Sequence, residues 1–68
     1  MKLSARNKLK GKIVIVKKGA TTAHVTIDIA GQIVTAAITN ESAEDLALAP
    51  GMTAYAVIKA SDVMVGVD

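Results

Sequence analysis

The chain has 68 residues, 51% of them apolar, with no cysteine, one histidine and a formal charge of +2. That length allows one domain at most, and a lone domain of this size buries little surface. Disulfide staples are excluded and one histidine does not build a zinc site, so the apolar surplus points to burial against copies of itself, in an obligate oligomer.

The charge is divided along the chain. Seven of the eight Lys and Arg residues lie in residues 1–18, and all six acids lie from Asp28 onward. A basic arm implies an anionic partner, or a solvated face that docks on an acidic neighbour. The longest uncharged stretch, residues 46–58, contains Pro50-Gly51 and is shorter than the roughly 20 apolar residues of a membrane span. No apolar run follows Lys2, so no signal peptide is read. The expectation is a cytoplasmic protein with no membrane partner.

Residues 1–11 read as an arm ending at Gly11. Residues 12–17 carry Ile13-Val14-Ile15-Val16, a β-branched run expected to be a strand buried on both faces. After a turn at residues 18–22, residues 23–29 alternate, with Val25, Ile27 and Ile29 on one face and His24, Thr26 and Asp28 on the other. Ala30-Gly31-Gln32 returns the chain into a third strand, residues 33–38, as an antiparallel hairpin.

Ser42-Ala43-Glu44-Asp45 fits a hydroxyl cap followed three residues later by an acid. This predicts a helix of about two turns capped by Ser42, with Glu44 and Asp45 at its positive end and Pro50-Gly51 stopping it. Residues 52–59 alternate again, and residues 63–67 read as a final apolar strand, hazardous unless paired within an assembly. The expected order β-β-β-α-β-β is that of a mainly β, five-stranded OB-like barrel.

Three blocks then carry a family resemblance. Ser4-Ala5-Arg6-Asn7-Lys8-Leu9-Lys10-Gly11 resembles the S-A-R-N-x-L-x-G opening of the molbindins, the small molybdate-binding Mop proteins of the TOBE/Mop domain type. Ala37-Ile38-Thr39-Asn40-Glu41-Ser42 is similar to the family's middle segment, and Tyr55-Ala56-Val57-Ile58-Lys59-Ala60-Ser61 to its A-x-x-K-A-S segment. The order and spacing match in a chain of the right length. The resemblance implies a Greek-key barrel over residues 1–68, a hexamer built as a trimer of dimers, and cytoplasmic storage of molybdate or tungstate. It also implies sites between subunits. Ser4, Ala5, Arg6 and Asn7 would form one side with Lys59, Ala60 and Ser61, and Thr39 and Ser42 the other, from a second chain. Gly19 to Thr22 is a weaker candidate for a further oxyanion site.

The residue types suit such an ion. Molybdate is a tetrahedral dianion whose oxygens only accept hydrogen bonds, so its site wants donors and no carboxylate. A donor-only site mismatches phosphate that retains a proton, whereas sulfate is rejected by cavity size alone. No cofactor and no direct metal-ion ligand are expected. His24 reads as solvated or interfacial, and Tyr55, Met52 and Met64 as packing residues.

A nucleic-acid-binding OB module is the main rival, favoured by the basic arm. Tyr55 is the only aromatic residue, whereas single-strand binders stack bases on several. An enzyme is not expected, for want of a nucleophile–base pair. A purely structural module would assemble regardless of oxyanion. A sensor domain would work with a separate partner; with no DNA-binding or ATPase segment in the chain, storage is the better expectation.

Overall fold

The computed structural model describes residues 1–68. Its order is β1 (Asn7–Lys18), β2 (Thr22–Ile29), β3 (Gln32–Thr39), α1 (Asn40–Asp45), β4 (Thr53–Ile58) and a 3-10 turn (Ala60–Asp62). The four strands form one antiparallel sheet in the order β3-β2-β1-β4.

The β2–β3 hairpin is as expected. Ala30 and Gly31 both take positive φ, 53° and 89°, the geometry of a two-residue hairpin turn. Asp28 Oδ1 accepts from the Gly31 N–H at 2.8 Å and braces the turn.

The first strand departs from expectation in two ways. It starts at Asn7, so residues 7–11 are strand and not a free arm. Lys8, Lys10 and Lys12 are exposed and alternate with Asn7, Leu9 and Gly11, a two-residue period hidden by the concentration of charge. This half of β1 pairs with β4, from Asn7 opposite Ile58 to Lys12 opposite Thr53. The other half pairs with β2, ending with Lys18 opposite Ala23. Second, the apolar run is not buried on both faces. A bulge between Ile13 and Ile15 shifts the register, leaving Ile13 2% exposed but Val14 44% and Ile15 52%. An extra residue in one strand breaks the alternation that a straight strand would keep.

Gly11 lets β1 lie against β2. A Cβ there would meet the Asp28 carbonyl oxygen, and would come within 2.8 Å of Ile29 Cγ1 and 2.9 Å of Ile27 Cγ2. The core is Ile13, Val25, Ile27 and Ala56, with Val16, Ile29, Val34, Ala36, Ile38, Leu48 and Ala54 packed around it. Only 6 of 68 residues are buried, too small a core for an independent fold of ordinary stability.

The helix is capped by Thr39, not by Ser42. Thr39 is extended (φ −70°, ψ 151°), and its Oγ1 accepts from the Ser42 N–H at 3.0 Å. The cap therefore falls three residues earlier than expected, and Glu41 is the acid of the first turn. The helix also stops before Pro50. Ala47 takes φ 51°, the Ala47 N–H donates to Glu44 O at 2.9 Å, and the Leu48 N–H donates to Ala43 O at 3.1 Å. This pair of bonds is a Schellman ending, which satisfies the last carbonyls without proline.

The expected fifth strand is not formed within the chain. Residues 63–68 have no strand partner, and Met64, Val65 and Val67 are 93%, 91% and 94% exposed. The physical reason is direction: the chain leaves β4 through the 3-10 turn, away from both free edges. The four-stranded sheet thus leaves an apolar groove between β3 and β4, lined by Val34, Ala36, Ile38, Tyr55 and Val57. The structure is mainly β with one short helix, as expected.

Candidate functional site

The residues singled out from the sequence fall into two groups, each assembled by a different local rule. Sheet register assembles the first. Asn7 opposite Ile58 is the last rung of the β1–β4 ladder. In an antiparallel pair the residues before one strand's start lie beside those after the other's end. Ser4, Ala5 and Arg6 are therefore brought alongside Lys59, Ala60 and Ser61, although more than fifty residues of chain intervene. The Asn7 side chain secures this rung, its Nδ2 donating to Ile58 O at 3.2 Å.

This group is rich in uncommitted donors. Ser4, Arg6, Lys59, Ala60 and Ser61 are exposed, and Ala5 and Asn7 half-buried. The one ion pair of the chain is Lys18 Nζ to Glu44 Oε1 at 3.3 Å, so neither Arg6 nor Lys59 is neutralised by a carboxylate. The 3-10 turn's bonds run from the Asp62 N–H to Lys59 O (2.9 Å) and from the Val63 N–H to Ala60 O (3.3 Å). That leaves the Ala60 and Ser61 N–H groups without a partner in the turn, as the opening amides of any helical turn are.

The start of α1 assembles the second group. Thr39 O–H donates to Ser42 Oγ at 2.8 Å while Thr39 Oγ1 accepts the Ser42 N–H. Thr39's proton is thus engaged, and the outward donor of the pair is the Ser42 hydroxyl. Both residues are exposed. Asn40, which sequence reasoning left without a role, locks this corner. Its N–H donates to Thr21 O and its Nδ2 to Gly19 O, each at 2.9 Å. The weaker oxyanion candidate, residues 19–22, loses strength here. The Gly19 N–H is taken by Thr22 O at 2.8 Å, and the loop mainly presents carbonyls that already accept.

The two groups lie at opposite ends of the sheet. Thr39 is opposite Thr22, next to the Ala23–Lys18 rung, whereas Asn7 begins the same twelve-residue strand that Lys18 ends. At about 3.3 Å per residue that puts them on the order of 30 Å apart. The whole molecule is 34 Å in its longest dimension. One small ion, with a hydrogen-bond reach of about 3 Å, cannot touch both groups of one chain.

No other feature competes as an anion site. A cavity of about 350 Å³ on the inner face of the sheet is lined almost wholly by apolar residues, among them Ile13, Val25, Ile38, Leu48 and Tyr55. No group of His, Cys, Asp and Glu side chains is placed to hold a metal cation. No helix is long and apolar enough to cross a membrane.

Residues 3–65 match the model of the TOBE domain. The chain is a TOBE-domain protein of the molbindin (Mop) family. Molybdenum-pterin-binding protein 3 of Clostridium pasteurianum is 53% identical over 66 residues, covering 96% of this chain and 97% of that protein. Two solved structures share the Mop fold. A molybdate-binding protein from Sporomusa ovata superposes with a TM-score of 0.92 at 40% identity, over 96% of this chain and 97% of its own. The cytoplasmic molybdate-binding protein ModG, solved with molybdate bound, gives a TM-score of 0.93 at 43% identity, over all of this chain and 49% of its own. This chain thus spans about half the length of ModG and nearly the full length of the other two.

Proposed function

We propose that this chain binds molybdate or tungstate at sites completed between copies of itself, and stores or buffers the oxyanion in the cytoplasm. Mop relatives named for molybdate and molybdenum binding support the ligand class. The observation that carries the shared site is the separation of the two donor groups within one chain. Ser4, Ala5, Arg6, Lys59, Ala60 and Ser61, with Asn7 at their root, form one half-site, and Thr39 and Ser42 of a second copy form the other.

The division of labour follows from the chemistry. Arg6 and Lys59 supply the charge that a dianion needs, and charge-assisted bonds are the strong ones. Free N–H groups at Ala60 and Ser61 and the hydroxyls of Ser4, Ser61 and Ser42 complete a shell of donors. The exposed row Lys8, Lys10 and Lys12 adds positive potential along the approach. With donors alone, the site accepts a proton-free tetrahedral ion and mismatches hydrogen phosphate. Tungstate, nearly equal in size, binds about as well as molybdate; sulfate is disfavoured by its smaller radius only.

The assembly reading rests on exposed apolar surface. β3 and β4 are unprotected edges, and residues 63–67 are an exposed apolar strand without a partner. We read these residues as the fifth strand of a neighbouring copy's barrel, laid in the β3–β4 groove, in a hexamer built as a trimer of dimers. Each copy acts as one Mop domain over residues 1–68, performs no catalysis, needs no cofactor, and has neither nucleic acid nor membrane as partner. A single aromatic residue gives a nucleic acid no set of stacking platforms.

Native mass spectrometry with and without molybdate tests subunit number and ion number together. The expected result is one oligomer that gains oxyanion mass with no free monomer. A monomer that retains molybdate would refute the shared site, and an oligomer indifferent to molybdate and tungstate would refute the function.

A further inference from the structure

Asn7 occupies a position in the half-site that the other residues do not share. It opens β1, and Arg6 precedes it, so the two side chains leave the extended backbone toward opposite sides. A side chain opposite to Arg6 does not reach an ion that Arg6 grips. Asn7 is half-buried, whereas Arg6, Lys59, Ala60 and Ser61 are exposed. Its amide is engaged with the Ile58 carbonyl at 3.2 Å, across 51 residues of sequence.

The turn that follows Ile58 needs such a hold. Its N-cap residue, Lys59, makes no side-chain capping bond (φ −63°, ψ 139°). The turn spans only three residues, and beyond it the chain is exposed to its end. What joins the turn to β1 is the last ladder rung and the Asn7 amide. The Ala60 and Ser61 N–H groups are useful to an anion only if that joint is stiff, because preorganised donors cost no reordering when the ligand arrives.

We propose that Asn7 is a positioning residue: through Ile58 O it fixes the turn at residues 59–61 beside Arg6, and it does not touch the bound oxyanion. This rests on the oxyanion reading above and assigns Asn7 a role distinct from its neighbours in the half-site.

The test compares the full-length protein with Asn7→Ala, and with Asn7→Ser should the alanine variant fail to fold. Amide NMR spectra and hydrogen exchange are recorded without ion, and molybdate affinity is measured by titration calorimetry. The expected result is an affinity loss of about tenfold. The Ala60 and Ser61 resonances shift, and the Lys59–Asp62 segment exchanges faster, already in the ion-free protein. An affinity loss with ion-free spectra that superpose at residues 59–62 would overturn the proposal in favour of direct contact. Unchanged affinity would overturn it as well. If the unaltered protein took up no molybdate, the function would fall, whereas the ion-free spectra would still decide whether Asn7 holds the turn.

Discussion

The two half-sites are built on opposite principles. The half at residues 4–7 and 59–61 is charged, donor-rich and held by sheet register, and its cations have no carboxylate partner. The half at Thr39 and Ser42 is neutral and already bonded to itself, and the nearby cation, Lys18, is tied to Glu44. One half supplies attraction and the other supplies a fixed hydroxyl. Neither is a complete site, and the length of β1 keeps them apart in a single copy. The comparison teaches that the chain is organised to present two unlike ends to its own copies.

The most severe way to break this arrangement is to keep the ends from meeting. Val65→Asp places a charge in the apolar segment read as a partner's fifth strand. It is expected to yield monomers in native mass spectrometry and to abolish molybdate uptake, with both half-sites chemically intact. Uptake by the monomer would show that the halves do not need each other.

A smaller loss follows from disarming the charged half. Arg6→Ala is expected to weaken molybdate binding by about tenfold to a hundredfold in titration calorimetry, the span for a hydrogen bond to a charged group, and Lys59→Ala by a similar factor. The oligomer should persist in both. Ser42→Ala, which removes one neutral donor, should cost about threefold to tenfold in affinity. Thr39→Val separates the cap from the site. It should lower thermal stability by about 1 kcal/mol, the usual value of a side-chain cap, with a smaller effect on affinity than Ser42→Ala. The smallest effect is expected from Lys18→Ala. The Lys18–Glu44 pair is 48% and 63% exposed, and such pairs contribute about 0–1 kcal/mol.

Much of the fold was legible in the residues. Alternation in β2, β3 and β4 and the Ala30-Gly31 turn are local signals, and they were read correctly. Features that depend on more than local pattern were not. The strand character of residues 7–11 was masked by three lysines that alternate as a strand's outer face does. The cap was misplaced because Ser42 to Asp45 fits the same spacing as Thr39 to Ser42, and propensity does not choose between two valid frames. The helix ends at Ala47, an alanine in left-handed geometry, where no sequence signal marks an ending. Residues 63–67 carry strand composition, but a strand exists only where a neighbour is available to pair.

The candidate site was less legible still. Its residues entered through family resemblance, because nothing local reveals that Ile58 lies opposite Asn7. The structure adds the physical relation: register unites residues 4–7 with 59–61, and strand length separates both from Thr39 and Ser42. Asn40 could have been noticed earlier, since an asparagine at the start of a helix beside a glycine-containing turn often bonds the turn's backbone.

The central claim is that each ion is shared by two copies, and a mixing experiment addresses it most directly. One chain carries Arg6→Ala with Lys59→Ala; the other carries Ser42→Ala. Each is co-refolded alone and then with the other, and molybdate binding is titrated. If halves come from different copies, the mixture contains sites with both halves intact, and a high-affinity component absent from either parent reappears. If one copy supplied the whole site, every site in the mixture would keep a defect, and no such component would return.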